Sequence, residues 1–247
     1  MVLIMLKKLG TKEYHNGGSL IHPSVVLTSA HNMNKPNIDK SSISVRAGDW
    51  DIQRTTEAFD TQDSNVESIV IHEQFHAKAY WNDVALLFLE KPFLISANIN
   101  PICLPPQDQR FDSTRCIVTG WGKDGMGRTA KYQAILNYVD VRTVSHHQCQ
   151  ESIDLTEVMP KQFRLHESFI CAGGEYGEDA CEGDGGSPLI CPISNKEGYY
   201  YQVGIVSWGL GCGIRGVPGV YTKVPKFRNW IDGKLSERGF GTDSYKN

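Results

Sequence analysis

Ser24-Val-Val-Leu-Thr-Ser-Ala-His-Asn32 is a β-branched run that closes in small residues and sets an imidazole, His31, just past its end. Short runs of the same kind recur along the chain between Gly and Pro turn signals. They include Ser42-Ile-Ser-Val-Arg46, Ser68-Ile-Val-Ile71, Val84-Ala-Leu-Leu-Phe-Leu89, Cys116-Ile-Val-Thr119, Tyr199-Tyr-Tyr-Gln-Val203 and Gly219-Val-Tyr-Thr222. Many short strands at such spacing indicate an all-β sandwich or barrel, with His31 at its mouth. Met1 to Leu6 is apolar and is followed at once by Lys7-Lys8, the reverse of a secretory signal. It reads as a buried strand, and a secreted form would begin upstream of it. The proline-bearing stretch Leu104 to Thr114 can link two halves. Near the end, Pro225 can open a helix whose apolar residues Phe227, Trp230, Ile231 and Leu235 repeat at helical spacing. Residues 237–247 read as a frayed tail.

Composition excludes several classes. The 247 residues are 40% hydrophobic with 24 glycines, which excludes wholesale disorder. Lys and Arg number 25 against 28 Asp and Glu, a net charge of −3, which argues against nucleic acid as a partner. No apolar run approaches the roughly 18 residues of a membrane span. The seven cysteines form no CxxC pair. They read either as reduced buried thiols or as three disulfides plus one thiol for another chain, which requires an oxidising compartment.

His72-Glu-Gln-Phe-His76 matches the HExxH zinc-protease pattern, but that chemistry needs a helix, and this stretch follows the β-branched run Ile69-Val-Ile71. A strand end and turn is expected, and no metal. His146-His147 reads as solvated surface. The acidic stretch Glu57 to Glu67 could take calcium, but carboxylates in a polar loop are ordinarily just hydrated, so no cofactor is expected.

Four further segments combine. Asn82-Asp83 places a carboxylate at the head of an apolar strand, where burial requires a partner such as an imidazole N–H. Cys181-Glu-Gly-Asp-Gly-Gly-Ser-Pro-Leu189 and Ser207-Trp-Gly-Leu-Gly-Cys-Gly213 are glycine-rich loops. With the His31 segment, Thr119-Gly-Trp-Gly122 and Pro218-Gly-Val-Tyr221, their order resembles the chymotrypsin-like, trypsin-type serine protease family over about residues 1–236.

The resemblance implies two six-stranded antiparallel β-barrels, about 1–108 and 109–224, a C-terminal helix over 225–236 and a tail over 237–247. It implies that His31 is the general base and Asp83 its orienting carboxylate. The nucleophile then falls within Gly183-Asp184-Gly185-Gly186-Ser187-Pro188, at Gly185, which has no oxygen to attack a carbonyl. Ser187, two residues on, should project beyond hydrogen-bond reach of His31. The Gly183 and Gly185 N–H groups could still form an oxyanion-hole-like nest. The specificity pocket falls on Asp179, Ser207, Gly209 and Gly219, with the Asp179 carboxylate placed to receive Lys or Arg.

Family pairing implies disulfides Cys116–Cys191, Cys149–Cys171 and Cys181–Cys212, with Cys103 bonded to an upstream segment. Asn16 and Asn32 stand where the family has a disulfide beside the base, so the His31 loop is expected to lose a clamp. The family's Ile-Val-Gly-Gly type start, which pairs with Asp184, is not in this chain, so Asp184 needs either an upstream N-terminus or another partner.

The Gly-Asp-Gly-Gly-Ser-Pro-Leu variant is similar to arthropod serine protease homologues, many with an upstream clip domain. That implies a secreted, extracellular, catalytically inactive protein whose partner is a protease or proenzyme of an immune cascade such as prophenoloxidase activation. The alternatives are an active endopeptidase cutting after Lys or Arg through a substitute hydroxyl, and a decoy that holds a basic peptide segment in an unreactive cleft.

Overall fold

The computed structural model describes every residue except Leu9, Thr55, Arg128 and Asn247. The strands of the first half are β1 (Val2–Lys8), β2 (Thr11–His22), β3 (Val25–Thr28), β4 (Ile43–Ala47), β5 (Gln62–Ile71) and β6 (Ala85–Leu89). Those of the second are β7 (Arg115–Gly120), β8 (Asn137–Val144), β9 (Phe169–Gly173), β10 (Pro188–Pro192), β11 (Tyr200–Trp208) and β12 (Pro218–Lys223). Each set closes into a six-stranded antiparallel barrel, ordered β1-β2-β3-β6-β5-β4 and β10-β11-β12-β9-β8-β7. This is the trypsin-like architecture that the resemblance implies.

β6 explains why its sequence is apolar without alternation. Ala85, Leu87 and Leu89 point into the first barrel with Val26, Val45 and Ile4. Leu86 and Phe88 point the other way, onto a second core with Ile21, Val25, Leu27, Ile205, Ile231 and Leu235. A strand buried on both faces reads as a continuous hydrophobic run. That second core joins the barrels to the C-terminal helix, which begins as a 3₁₀ turn over Val224–Phe227 and continues as an α-helix over Arg228–Ser236.

The tail is not frayed. Residues Asp243–Tyr245 form a 3₁₀ turn, and Tyr245 is 0% exposed. Its carbonyl accepts from Leu104 N at 3.0 Å, its hydroxyl donates to Asp232 at 2.8 Å, and the Arg228 guanidinium lies over its ring. Ser244 donates to the Ile21 carbonyl at 2.8 Å. The polar composition of residues 237–247 conceals one aromatic anchor whose hydrogen bonds are all long-range. Tyr245→Ala should therefore destabilise the fold by about 3 kcal/mol, as truncation of a buried aromatic does. A urea melt superimposing on wild type would contradict this.

The HExxH stretch lies beyond the end of β5 in a turn, where His72 packs on Phe227 and Trp230. Glu73 accepts from Trp230 Nε1 and pairs with Lys234, which holds its carboxyl down at about 2. His146 and His147 are exposed and open a helix, His146–Leu155, whose N-terminus is closed by a Ser145–Gln148 capping box. In the acidic stretch, the Glu57 carboxylate accepts from the Trp50 and Asp51 amides.

Candidate active-site cleft

His31 sits on a single turn of helix, Ala30–Met33, directly after β3. Asp83 precedes β6 and follows Asn82, whose φ of 55° lies in the left-handed region that Asn tolerates. Ser168 Oγ accepts from the Asn82 amide and holds this turn against the second barrel. Asp83 is 0% exposed, and every oxygen it carries is used. Oδ1 accepts from the His31 amide at 2.7 Å, and Oδ2 accepts from His31 Nδ1 at 2.7 Å and from Ser207 Oγ at 2.5 Å. Its carbonyl accepts from Thr222 Oγ1 at 2.8 Å. Donation from Nδ1 selects the tautomer in which Nε2 of His31 is the free acceptor. The Tyr80 ring stacks on His31 at 5.0 Å, a neighbour that sequence reading missed although Tyr80 lies three residues before Asp83.

Nε2 faces Gly185. A Cβ built on Gly185 would lie 3.1 Å from His31 Nε2 and 2.9 Å from Asn32 Nδ2. Ser187 is turned away: it is 0% exposed, and its hydroxyl lies against Gly17 and Gly120. Among the described residues, no Ser or Thr hydroxyl hydrogen-bonds to His31 Nε2.

The Asn pair is not simply a lost clamp. Asn16 Nδ2 donates to Thr28 Oγ1 at 3.0 Å and to the Gly17 carbonyl at 2.8 Å, and Asn32 Nδ2 donates to Ser29 Oγ at 2.9 Å. Two amides thus tie the His31 loop by hydrogen bonds. Asp184 is also satisfied locally, accepting from the Gly122 and Cys181 amides at 2.8 and 2.9 Å. Burial raises its pKa above the ordinary carboxylate value.

Beside this dyad opens a cavity of about 350 Å³ bordered by His31, Gly183, Gly185, Trp208 and Gly219, with Asp179 also in its wall. Ser207 and Gly209 line it too, although the Ser207 hydroxyl is committed to Asp83. Asp179 Oδ2 accepts from the Gly213 amide at 3.1 Å, whereas Oδ1 has no hydrogen-bond partner. Burial pushes the Asp179 carboxyl up to about 6, opposed by the Gly213 and Ala180 amides. Gly219 keeps the floor open, because a Cβ there would lie 2.9 Å from Asp179 Oδ1. Gly183 has a φ of 99°, a conformation that L side chains rarely adopt.

The cavity wall is pinned by the Cys181–Cys212 disulfide; Cys116–Cys191 and Cys149–Cys171 brace the same barrel. Cys103 is a free, half-buried thiol whose pKa burial raises. No group of three or more His, Cys, Asp or Glu side chains is placed to hold a metal among the described residues.

Residues 4–231 match the Trypsin family. Phenoloxidase-activating factor 2 of Galleria mellonella is 46% identical over 233 residues, covering 94% of this chain and 75% of that protein. Inactive CLIP domain-containing serine protease A8 of Anopheles gambiae is 40% identical over 223 residues, covering 90% of this chain and 59% of that protein. Proclotting enzyme of Tachypleus tridentatus is 33% identical over 239 residues, covering 94% of this chain and 61% of that protein.

Proposed function

Because the chain belongs to the trypsin family, we propose that it is a member that binds without cutting, in an extracellular cascade such as prophenoloxidase activation. The observation that carries this reading is the bare Cα at position 185 opposite His31 Nε2. His31 and Asp83 are then the remnants of a triad, Gly185 occupies the nucleophile's place, and Gly183 and Gly185 supply what is left of an oxyanion hole. Without a hydroxyl there is no atom to form an acyl-enzyme, however well the imidazole is poised. The pattern of relatives supports the same reading, since a protein named as inactive and one named as an activating factor share more identity with this chain than the clotting enzyme does.

Disulfides support an oxidising, extracellular setting. The partner is a protein, and the unpaired Asp179 oxygen in the cavity favours a basic segment of it. A tether from Cys103 to an upstream segment belongs to the same reading.

The competing reading, an endopeptidase cutting after Lys or Arg, rests on the intact His31–Asp83 pair and the Asp179 pocket. A fluorophosphonate probe and an arginine amide substrate separate the two. We expect neither labelling nor turnover above the rate without protein. Turnover that is lost in Ser187→Ala would establish the enzyme instead.

A further inference from the structure

We propose that the cleft recognises a cut peptide end: a chain terminating in arginine or lysine, with its free carboxylate seated over the bare Cα of Gly185. This rests on the non-cutting reading and names the ligand of the same site.

The two ends of the cavity carry opposite requirements. At one, Asp179 Oδ1 is shielded from water and unpartnered. A buried carboxylate oxygen left in that state is costly and calls for a cation. At the other, the donors gather. Asn32 Oδ1 accepts from Lys35 Nζ at 3.2 Å while Nδ2 donates one hydrogen to Ser29, so the amide orientation is set and the second Nδ2 hydrogen is spare. That nitrogen and His31 Nε2 both border the volume that a side chain at 185 would fill. A carboxylate oxygen entering there accepts from the spare Asn32 Nδ2 hydrogen, and Lys35 adds positive charge behind the amide.

A serine side chain would occupy this volume and oppose its oxygen to the carboxylate. Glycine removes that obstacle. An uncut chain presents a neutral amide at the same point, whose carbonyl gains less from the Asn32 N–H and from Lys35 than a full negative charge does. The cleft therefore suits the end left by hydrolysis after Arg or Lys, so the reaction that supplies its ligand is a trypsin-type cleavage made by another protein. Hydrogen bonds to an ionised acceptor are about twice as strong as neutral ones, so the preference for a free end should be about tenfold or more.

The test is fluorescence anisotropy with three labelled peptides: one ending in arginine with a free carboxylate, the same peptide amidated, and the same peptide extended by several residues. The free end should bind at least ~10-fold tighter than the other two. Asn32→Ala should shrink that preference severalfold, weakening the free end more than the amidated peptide, and a thermal melt matching wild type shows that the variant is folded. Asp179→Ser should weaken all three alike. Equal binding of all three to the wild type overturns the carboxylate site and leaves the non-cutting reading standing. Mass-spectrometric cleavage of the extended peptide overturns that reading itself, and binding of none of the three overturns the carboxylate site.

Discussion

Gly185→Ser is expected to restore only trace peptidase activity, and Gly185→Ser with Asn32→Ala at least ten times more. The first substitution returns an oxygen to a dyad that is already assembled, since His31 Nδ1 is bonded to Asp83 and Nε2 is free. Its Cβ, however, would arrive 2.9 Å from Asn32 Nδ2, closer than ordinary van der Waals contact. Either Asn32 or the new side chain must give way, and Asn32 is held by Ser29 and Lys35. A displacement on the order of 1 Å in a catalytic group can cost about 100-fold. Removing the amide relieves the contact. The comparison is read by fluorophosphonate labelling rate and by hydrolysis of an arginine amide. A single variant as fast as the double would show that Asn32 is no obstacle.

Asp179→Asn is expected to strengthen the fold while sharply weakening affinity for basic peptides. The Asp179 carboxyl has its pKa raised from 3.8 to about 6 by burial. Between those two values the native state holds a proton that the unfolded chain has released, so stability falls as pH rises through that window. Above pH 6 the penalty is fully present, and below pH 4 it is gone. A shift of about two units corresponds to roughly 3 kcal/mol; allowing for residual solvation, about 2 kcal/mol is expected, or roughly 4–8 °C in Tm for a domain of this size. Asparagine keeps the acceptor for the Gly213 amide and mimics the protonated acid. The Tm gain should therefore appear at pH 8 and vanish near pH 4, and calorimetry at both values checks it. Affinity for an arginine-ending peptide should fall on the order of 100-fold, the usual consequence of removing one partner of a buried charge pair. A variant with unchanged Tm at pH 8 would mean that the carboxylate is not strained by burial.

The barrels were legible because their strands carry their own signals. β6 is apolar on both faces, and β3 ends in the small residues that deliver His31. β8 was missed although Val141 and Thr143 alternate with exposed neighbours, because Asp140 and Arg142 dilute the pattern. β10 was missed because prolines bound it at both ends. The helix at His146–Leu155 was hidden because Cys149 and Ile153 are its only buried residues in an otherwise polar segment, yet Ser145 and Gln148 stand at capping-box spacing and could have revealed it.

In the cleft, residue types announced His31 and Asp83, since a histidine after a strand and a lone acid before one each require a reason. Asp179 and Gly185 emerged only through the family resemblance. What sequence could not convey was distance across the chain. Nothing local says that Asn32 borders the space above Gly185, that Tyr80 lies on His31, or that Tyr245 closes the base of the C-terminal helix.

All three disulfides lie in the second barrel, whereas the half bearing His31 is held by packing, hydrogen bonds and ion pairs such as Lys12–Asp63 and Arg46–Asp63. The molecule is therefore redox-asymmetric. A mild reductant that opened Cys181–Cys212 would release the wall around Asp179 while leaving the His31–Asp83 pair assembled, so the proposed preference for a basic side chain should be lost before the first barrel is disturbed.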